Sequence, residues 1–103
     1  IRANYGQSLL ADNQYQPAVN QLERALKTEG RSPLVHRLLA TAYGRLEDHG
    51  SSRVHLAEEA LLQQKYDDAR RQAGLARQVM DASHPKWIRL QDIQAVLDNQ
   101  RDN

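Results

Sequence analysis

Four histidines are the residues of this chain best suited to acid–base or metal chemistry. They are His36, His49, His55 and His84, and the sequence has no cysteine. Two imidazoles that bind zinc from one helix stand three or four residues apart, because that spacing puts both on one face. No two of these histidines have it. The sequence therefore predicts no metal site and no bound cofactor, and it predicts histidines that face solvent or are half buried.

A second group has the residue types of a hydrolytic site. Ser51 and Ser52 lie between His49 and Glu58. No G-x-S-x-G turn, the kind that exposes a serine nucleophile, surrounds them. We therefore predict no catalytic residue here, and Ser51-Ser52 is better explained as the cap of a helix.

Charged residues cluster near position 70. Asp67 and Asp68 resemble a catalytic pair, but two acids in a first helical turn also stabilise the helix dipole and the free N–H groups. Arg70 and Arg77 are seven residues apart and share a face, and Arg71 is offset from it. The prediction is a solvated face in which the acids balance the arginines; the alternative is a site for acidic peptides.

The composition restricts the class of protein. The chain has 103 residues, 40% of them hydrophobic and 26% charged, with a formal net charge of +1. This suits one small globular or repeat domain, without a charge that favours nucleic acid. The apolar runs are too short for membrane insertion. Because the chain begins with Ile1, we expect a fragment of a longer protein; its oligomeric state stays open.

Helical periodicity runs through nearly the whole chain, and β-branched residues are few. Start and stop signals divide the sequence, for example Ser32-Pro33 at a helix start and Gly30 just before it. The fold class predicted is all-α, an antiparallel helical-hairpin solenoid. Its six helices are expected at about residues 2–11, 17–27, 33–47, 52–64, 67–81 and 85–99. A stripe in the last helix, spaced 3, 3, 4, should close the end of the solenoid: Trp87, Leu90, Ile93 and Leu97.

One pattern of residue spacing occurs twice in the sequence. NQYQPAVNQLERAL and QKYDDARRQAGLAR each place a tyrosine and three small or aliphatic residues at spacings of 3, 4 and 3. The two sets are 51 residues apart: Tyr15, Ala18, Leu22 and Ala25, then Tyr66, Ala69, Ala73 and Ala76.

A second pattern precedes each of these helices. The small residues Gly6 and Ala40 are 34 residues apart, but Ala57 follows Ala40 by only 17. If 34 residues form one helical hairpin, one helix is missing from a regular array. The fourth helix then serves as the second helix of one hairpin and the first helix of the next.

These residues resemble a tetratricopeptide repeat, whose period is thirty-four residues. The resemblance covers about residues 2–80, and it implies stacked hairpins that bind proteins or peptides. The residues expected to pack the repeats are Tyr5, Gly6, Leu9, Tyr15, Ala18, Leu22, Ala25, Leu39, Ala40, Tyr43, Leu56, Ala57, Tyr66, Ala69, Ala73 and Ala76.

The back half has a narrower resemblance. LLATAYGRLEDHGSSRVHLAEEALLQQKYDDARRQAGLARQV, followed by a helix with WIRLQDI, resembles the C-terminal tail of bacterial periplasmic zinc metallopeptidases, the β-barrel assembly-enhancing protease and its relatives. Such peptidases carry HExxH, in which two histidines bind zinc and the glutamate is the base. This sequence has no such motif. The resemblance implies a catalytic domain, and its zinc, only upstream of Ile1.

A peptide-binding face is expected on the first helices of the repeats. Gln7, Thr41 and Glu58 each follow a small packing residue, so they should share one concave face. Arg37 and Arg45, one turn to either side of Thr41, should extend it. Ordinary solvated helix residues are the alternative interpretation.

Three functions are compatible with the sequence. The first is the C-terminal docking arm of a periplasmic zinc metallopeptidase in outer-membrane protein quality control. The second is a free-standing scaffold or adaptor in the cytoplasm, with no protease attached. The third, an enzyme in its own right, has least support, because no motif supplies its chemistry.

Overall fold

A computed structural model describes residues 2–101, and side chains within residues 3–100. These residues form six helices and no strand, which confirms the predicted all-α class. The helices are α1 Arg2–Ala11, α2 Tyr15–Glu29, α3 Pro33–Arg45, α4 His49–Leu62, α5 Tyr66–Gln78 and α6 Trp87–Arg101. Consecutive helices pack as antiparallel neighbours in a body of 42 × 25 × 19 Å.

Three of the turns between helices are alike. Asn13, Glu47 and Gln64 each have a φ near +60° and stand two residues before the next helix. In each turn the following N–H bonds a carbonyl five residues back; Lys65 N, for example, donates to Ala60 O at 2.8 Å. These positions are separated by 34 and then 17 residues, as the packing residues Gly6, Ala40 and Ala57 are. The turn that follows α1 and α3, the first helices of their hairpins, therefore also follows α4.

The contacts between helices show the same half-period irregularity at α4. α1 contacts α3, and α4 contacts α6, whereas within the described residues α2 stands apart from α4 and α3 from α5. Two units of three helices result, α1–α3 and α4–α6, joined where α3 packs on α4. Each unit has its own apolar core. The first is centred on Leu22, Val35 and Leu39, and the second on Val54, Leu90 and Ile93.

Small residues permit close helix contact in both cores. Ala18 and Ala25 of α2, and Ala69, Ala73 and Ala76 of α5, are fully buried. A Cβ added at Gly6 would lie 2.6 Å from Leu22 Cδ2, so only glycine lets α1 approach α2 this closely. Leu9 and Ala57 are also buried, Tyr43 and Tyr66 are half-buried at the edges of the two cores, and Tyr15 is half-buried at the start of α2.

Some local predictions were wrong. Tyr5 is 55% exposed, because α1 is covered only on the stripe of Ala3, Gly6 and Leu9, and Tyr5 lies at its edge. Leu56 is only half-buried, because α3 and α5 stand apart above it.

Helix ends differ from the predictions as well. Asp48 caps α4, since its carboxylate accepts from Ser51 N and Ser51 Oγ; the cap is therefore not Ser51-Ser52, and α4 begins earlier than predicted. α2 begins at Tyr15 and α6 at Trp87, with Pro85 in the preceding turn. Ser32 does cap α3, accepting from Val35 N.

Candidate functional site

A pair of buried histidines lies where the two units meet. His36 of α3 and His55 of α4 are fully buried, with their Nδ1 atoms 3.0 Å apart and their rings stacked at 5.2 Å. His36 Nε2 lies 2.9 Å from Gly30 O. The prediction that all four histidines face solvent or are half buried is wrong for these two.

The contacts fix which nitrogen carries each proton. A carbonyl only accepts, so His36 Nε2–H donates to Gly30 O. His36 Nδ1 is then an acceptor, and His55 Nδ1–H donates a hydrogen bond to it. His55 Nε2 is left as a buried acceptor with no hydrogen-bond partner. Burial, and next the charge of Lys86, hold the pKa of His55 well below its ordinary value, so that its ring is neutral at pH 7.

A second set of polar groups extends this pair toward α2. The Tyr43 ring stacks on His55 at 5.7 Å, and its hydroxyl donates to Glu23 Oε2. Lys86 Nζ binds the same oxygen at 2.6 Å and lies 5.6 Å above the Tyr43 ring. Burial, and then the hydrogen bond to Glu23, raise the pKa of Tyr43, which stays protonated. Lys86 thus ties the α5–α6 connection to the first unit.

The same connection is fixed to α4. His84 Nε2 lies 3.1 Å from Asp48 Oδ1, and Arg89 binds Glu58 at 2.8 Å. Burial opposes ionisation of Asp48, but hydrogen bonds from Ser51 and His84 outweigh it and lower the pKa. Residues 84–89 therefore fill the space between α2 and α4, above α3. We call this space the closed groove.

A matching space on the other side of the molecule is filled by none of the described residues. It lies between α3 and α5, with α4 as its floor, and it encloses about 160 Å³. We call it the open groove. Its lining residues are Arg37, Leu56, Glu59, Ala60, Gln63, Lys65, Asp68, Arg71 and Gln72.

The predicted peptide-binding residues do not all lie together. Gln7, Arg37, Thr41 and Arg45 are exposed on α1 and α3. Glu58 is bound to Arg89 of α6, and the α4 residue that meets Arg37 is Glu59, at 2.9 Å. Glu58 therefore does not share their face. The reason is that α4 is enclosed by α3, α5 and α6, so the residue after its small packing position is turned toward α6.

The arginine side chains of α5 face two different parts of the molecule. Arg70 Nη2 lies 3.4 Å from Leu97 O and Arg77 donates to Gln94, so both face α6. Arg71 pairs with Asp68 beside the open groove, and Arg70 also pairs with Asp67. The predicted balance between these acids and arginines is therefore present.

Spacing within a single helix does not reveal the histidine pair, because its two members lie on different helices. His36 and His55 are 19 residues apart, but they lie at similar distances from the α3–α4 turn. In an antiparallel hairpin such residues face each other. Ser52 Oγ, which donates to Ala40 O at 2.8 Å, shows the same pairing. A search for polar residues placed symmetrically about a turn would have found the pair.

The fold defines an all-α class, the helical-hairpin solenoids, and its hairpin packing is consistent with a tetratricopeptide-like fold. Within residues 2–101 no cluster of three or more metal-ligating side chains occurs. None of the described helices combines the length and apolar character needed to cross a bilayer. The chain has no match among protein-family models, curated proteins or solved structures. Its function must therefore be inferred from the geometry of the described residues.

Proposed function

We propose that this chain is a protein–protein interaction module and that its partners dock on the exposed polar face of α1 and α3. The observation that carries this proposal is the surface around Thr41. Arg37, Thr41 and Arg45 are exposed at one-turn spacing along α3, and Gln7 is exposed on the adjoining α1, whereas the opposite side of α3 is covered by residues 84–89. Guanidinium and amide groups on a rigid helical scaffold can bind the backbone and carboxylates of a peptide.

We further propose that the module is the docking arm of a periplasmic zinc metallopeptidase that acts in outer-membrane protein quality control. The support is the resemblance of residues 38–93 to the tail of such enzymes. In this setting the chain supplies no catalytic group, and zinc belongs to the parent's catalytic domain. The partners are unfolded or assembling outer-membrane proteins, or the assembly machinery.

Site-specific crosslinking in living cells tests the binding function. A photo-reactive amino acid at Thr41 of the parent protein should give crosslinks to other proteins. The same amino acid at Asp92, exposed on α6, is the control and should give few. Equal crosslinking from both positions, or none from Thr41, would contradict docking on this face.

The free-standing scaffold remains the alternative, because a solenoid of this kind serves either role. The residues upstream of Ile1 distinguish the two. An HExxH motif there supports the peptidase arm. A chain without one supports the scaffold, and the cytoplasm becomes the expected compartment.

A further inference from the structure

Both grooves of this molecule result from the same gap between non-adjacent helices, but only the closed groove is occupied by a described segment of the chain. The half-period step at α4 separates α2 from α4 on one side and α3 from α5 on the other. In the closed groove, Lys86 brings a cation to the Glu23 carboxylate over the Tyr43 ring. In the open groove no described segment of the chain takes the corresponding place.

The charges of the open groove indicate what can bind there. Its two acids are already paired within it, Glu59 with Arg37 and Asp68 with Arg71. Lys65 has no acidic partner among the described residues, which leaves the lining with a net charge of +1. Arg37 binds Glu59 through Nε, and its side chain is 60% exposed, so its Nη groups remain available. An incoming carboxylate would meet cations on both walls of the groove.

The floor of the groove is partly apolar. Leu56 is half-buried, Ala60 lies one turn after it, and Gln63 follows Ala60 by one further turn. An extended chain presents alternate side chains in opposite directions. Small apolar side chains can therefore rest on Leu56, while the long glutamate side chains between them, which leave the backbone away from the floor, can bend toward the exposed cations of the walls.

We propose that the open groove binds an extended acidic peptide segment of a partner protein, with its carboxylates on Lys65, Arg37 and Arg71. This inference rests on the proposed binding function and names the chemistry of the partner. It places that contact between α3 and α5 rather than on α1. Arg37 belongs to both surfaces, so a partner on the Thr41 face can extend into the groove.

Peptide titration with a matched pair of variants tests the proposal. The probe is a fluorescein-labelled octapeptide of alternating Glu and Val, and the same peptide with Gln in place of Glu is the uncharged control. Binding to the 103-residue chain is followed by fluorescence anisotropy at low and physiological salt. Lys65→Gln should weaken binding of the Glu peptide by up to about five-fold, the range of one exposed ion pair. Lys27→Gln makes the same charge change on α2, away from the groove, and should leave binding unaltered.

Amide chemical shifts locate the peptide. The inference expects shifts at Leu56, Gln63 and Gln72 upon addition of the Glu peptide. Shifts confined to Gln7 and Thr41 would overturn the groove but leave the binding function standing. No binding of the Glu peptide, equal binding of the Gln peptide, or equal weakening by both lysine variants would also overturn it. Crosslinking from Thr41 decides the proposed function separately.

Discussion

At the scale of single residues, His55 is the group whose state depends most on the fold. Its ring lies between His36 and Tyr43, and its Nε2 has no partner in the described structure. Burial opposes a second proton on the ring most strongly, and the charges of Lys86 in the α5–α6 connection and of Arg89 in α6 oppose it as well. The fold therefore holds this imidazole neutral.

The low pKa of His55 makes the stability of the chain depend on pH. Because that pKa is lower in the folded chain than the 6.5 of a free histidine, the unfolded state takes up more protons as the pH falls through that value. The free energy of unfolding should be greatest above pH 7 and should decrease from about pH 6.5 downward. Urea denaturation at several pH values between 8 and 5 measures this.

Two variants separate His55 from the other histidines. His55→Gln removes the titrating group and keeps a donor for His36 Nδ1, so the decrease below pH 6.5 should become shallower. His49→Gln, at an exposed position in the first turn of α4, should keep the decrease of the wild type. A wild-type stability that is constant between pH 7.5 and 5 would show that His55 takes up a proton as readily when folded as when unfolded.

Two glycines offer a test of helix packing. Both Gly6 and Gly74 are inside helices, where alanine is favoured by about 1 kcal/mol. An added Cβ has no neighbour within 4 Å at Gly74, but it meets fully buried Leu22 at Gly6. Gly74→Ala should raise the free energy of unfolding by about 0.5–1 kcal/mol, while Gly6→Ala should lower it by about 1–3 kcal/mol. Thermal and urea denaturation of both variants measure the difference; a Gly6→Ala chain as stable as Gly74→Ala would mean that α1 does not pack closely on α2.

At the scale of helices and turns, the three left-handed positions are not glycine. Asn13, Glu47 and Gln64 hold φ near +60°, a conformation that costs a residue with a Cβ about 1–2 kcal/mol. Glycine has no such cost, although it loses about 0.5–1 kcal/mol more in backbone entropy. Each of these three turns therefore contains one residue under mild backbone strain.

Gln63 and Gln64 make a matched pair at one of these turns. Gln64→Gly should stabilise the chain by about 0.5–1 kcal/mol, because it relieves the strain at φ 61°. Gln63, the residue before it, has φ −89°, so Gln63→Gly should destabilise by a similar amount. Denaturation midpoints in urea, at equal m-value, compare the two. Loss of stability in both variants would contradict a left-handed Gln64.

Much of the helical order was predictable because it is encoded locally. The 4, 3 spacing of Ala18, Leu22 and Ala25 sets the buried face of α2, and Ser32-Pro33 fixes the start of α3. The 34- and 17-residue spacings also predicted the irregular step at α4. The surroundings of α4 were not predictable in this way, since whether Glu58 or Glu59 meets Arg37 depends on how three other helices enclose it. The depth of His36 and His55 likewise depends on contacts between helices.

At the scale of the whole molecule, the two units share no continuous apolar core among the described residues. The α1–α3 cluster and the α4–α6 cluster are separate, and the region between them contains His36, His55 and Ser51. Burial of apolar surface stabilises each unit separately, while hydrogen bonds between polar groups orient one on the other. Their relative orientation therefore depends on the packing of α3 on α4 and on a few specific polar contacts.

Lys86 is the contact between units whose removal should have the clearest effect. It reaches from the second unit to Glu23 of the first, and its side chain is only 14% exposed. Lys86→Met keeps the apolar stem over Tyr43 but removes the charge, which leaves the Glu23 carboxylate without its cation. A hydrogen bond between charged groups in such a site contributes about 1.5–3 kcal/mol, and the free energy of unfolding should fall by that amount. Urea denaturation followed by the fluorescence of Trp87, the single tryptophan, and by circular dichroism measures the change.

Lys65→Met is the control, because Lys65 is exposed and has no acidic partner in the described structure, and it should change stability by less than about 0.5 kcal/mol. If Lys86→Met were as stable as Lys65→Met, the orientation of the two units would depend on the α3–α4 contact alone.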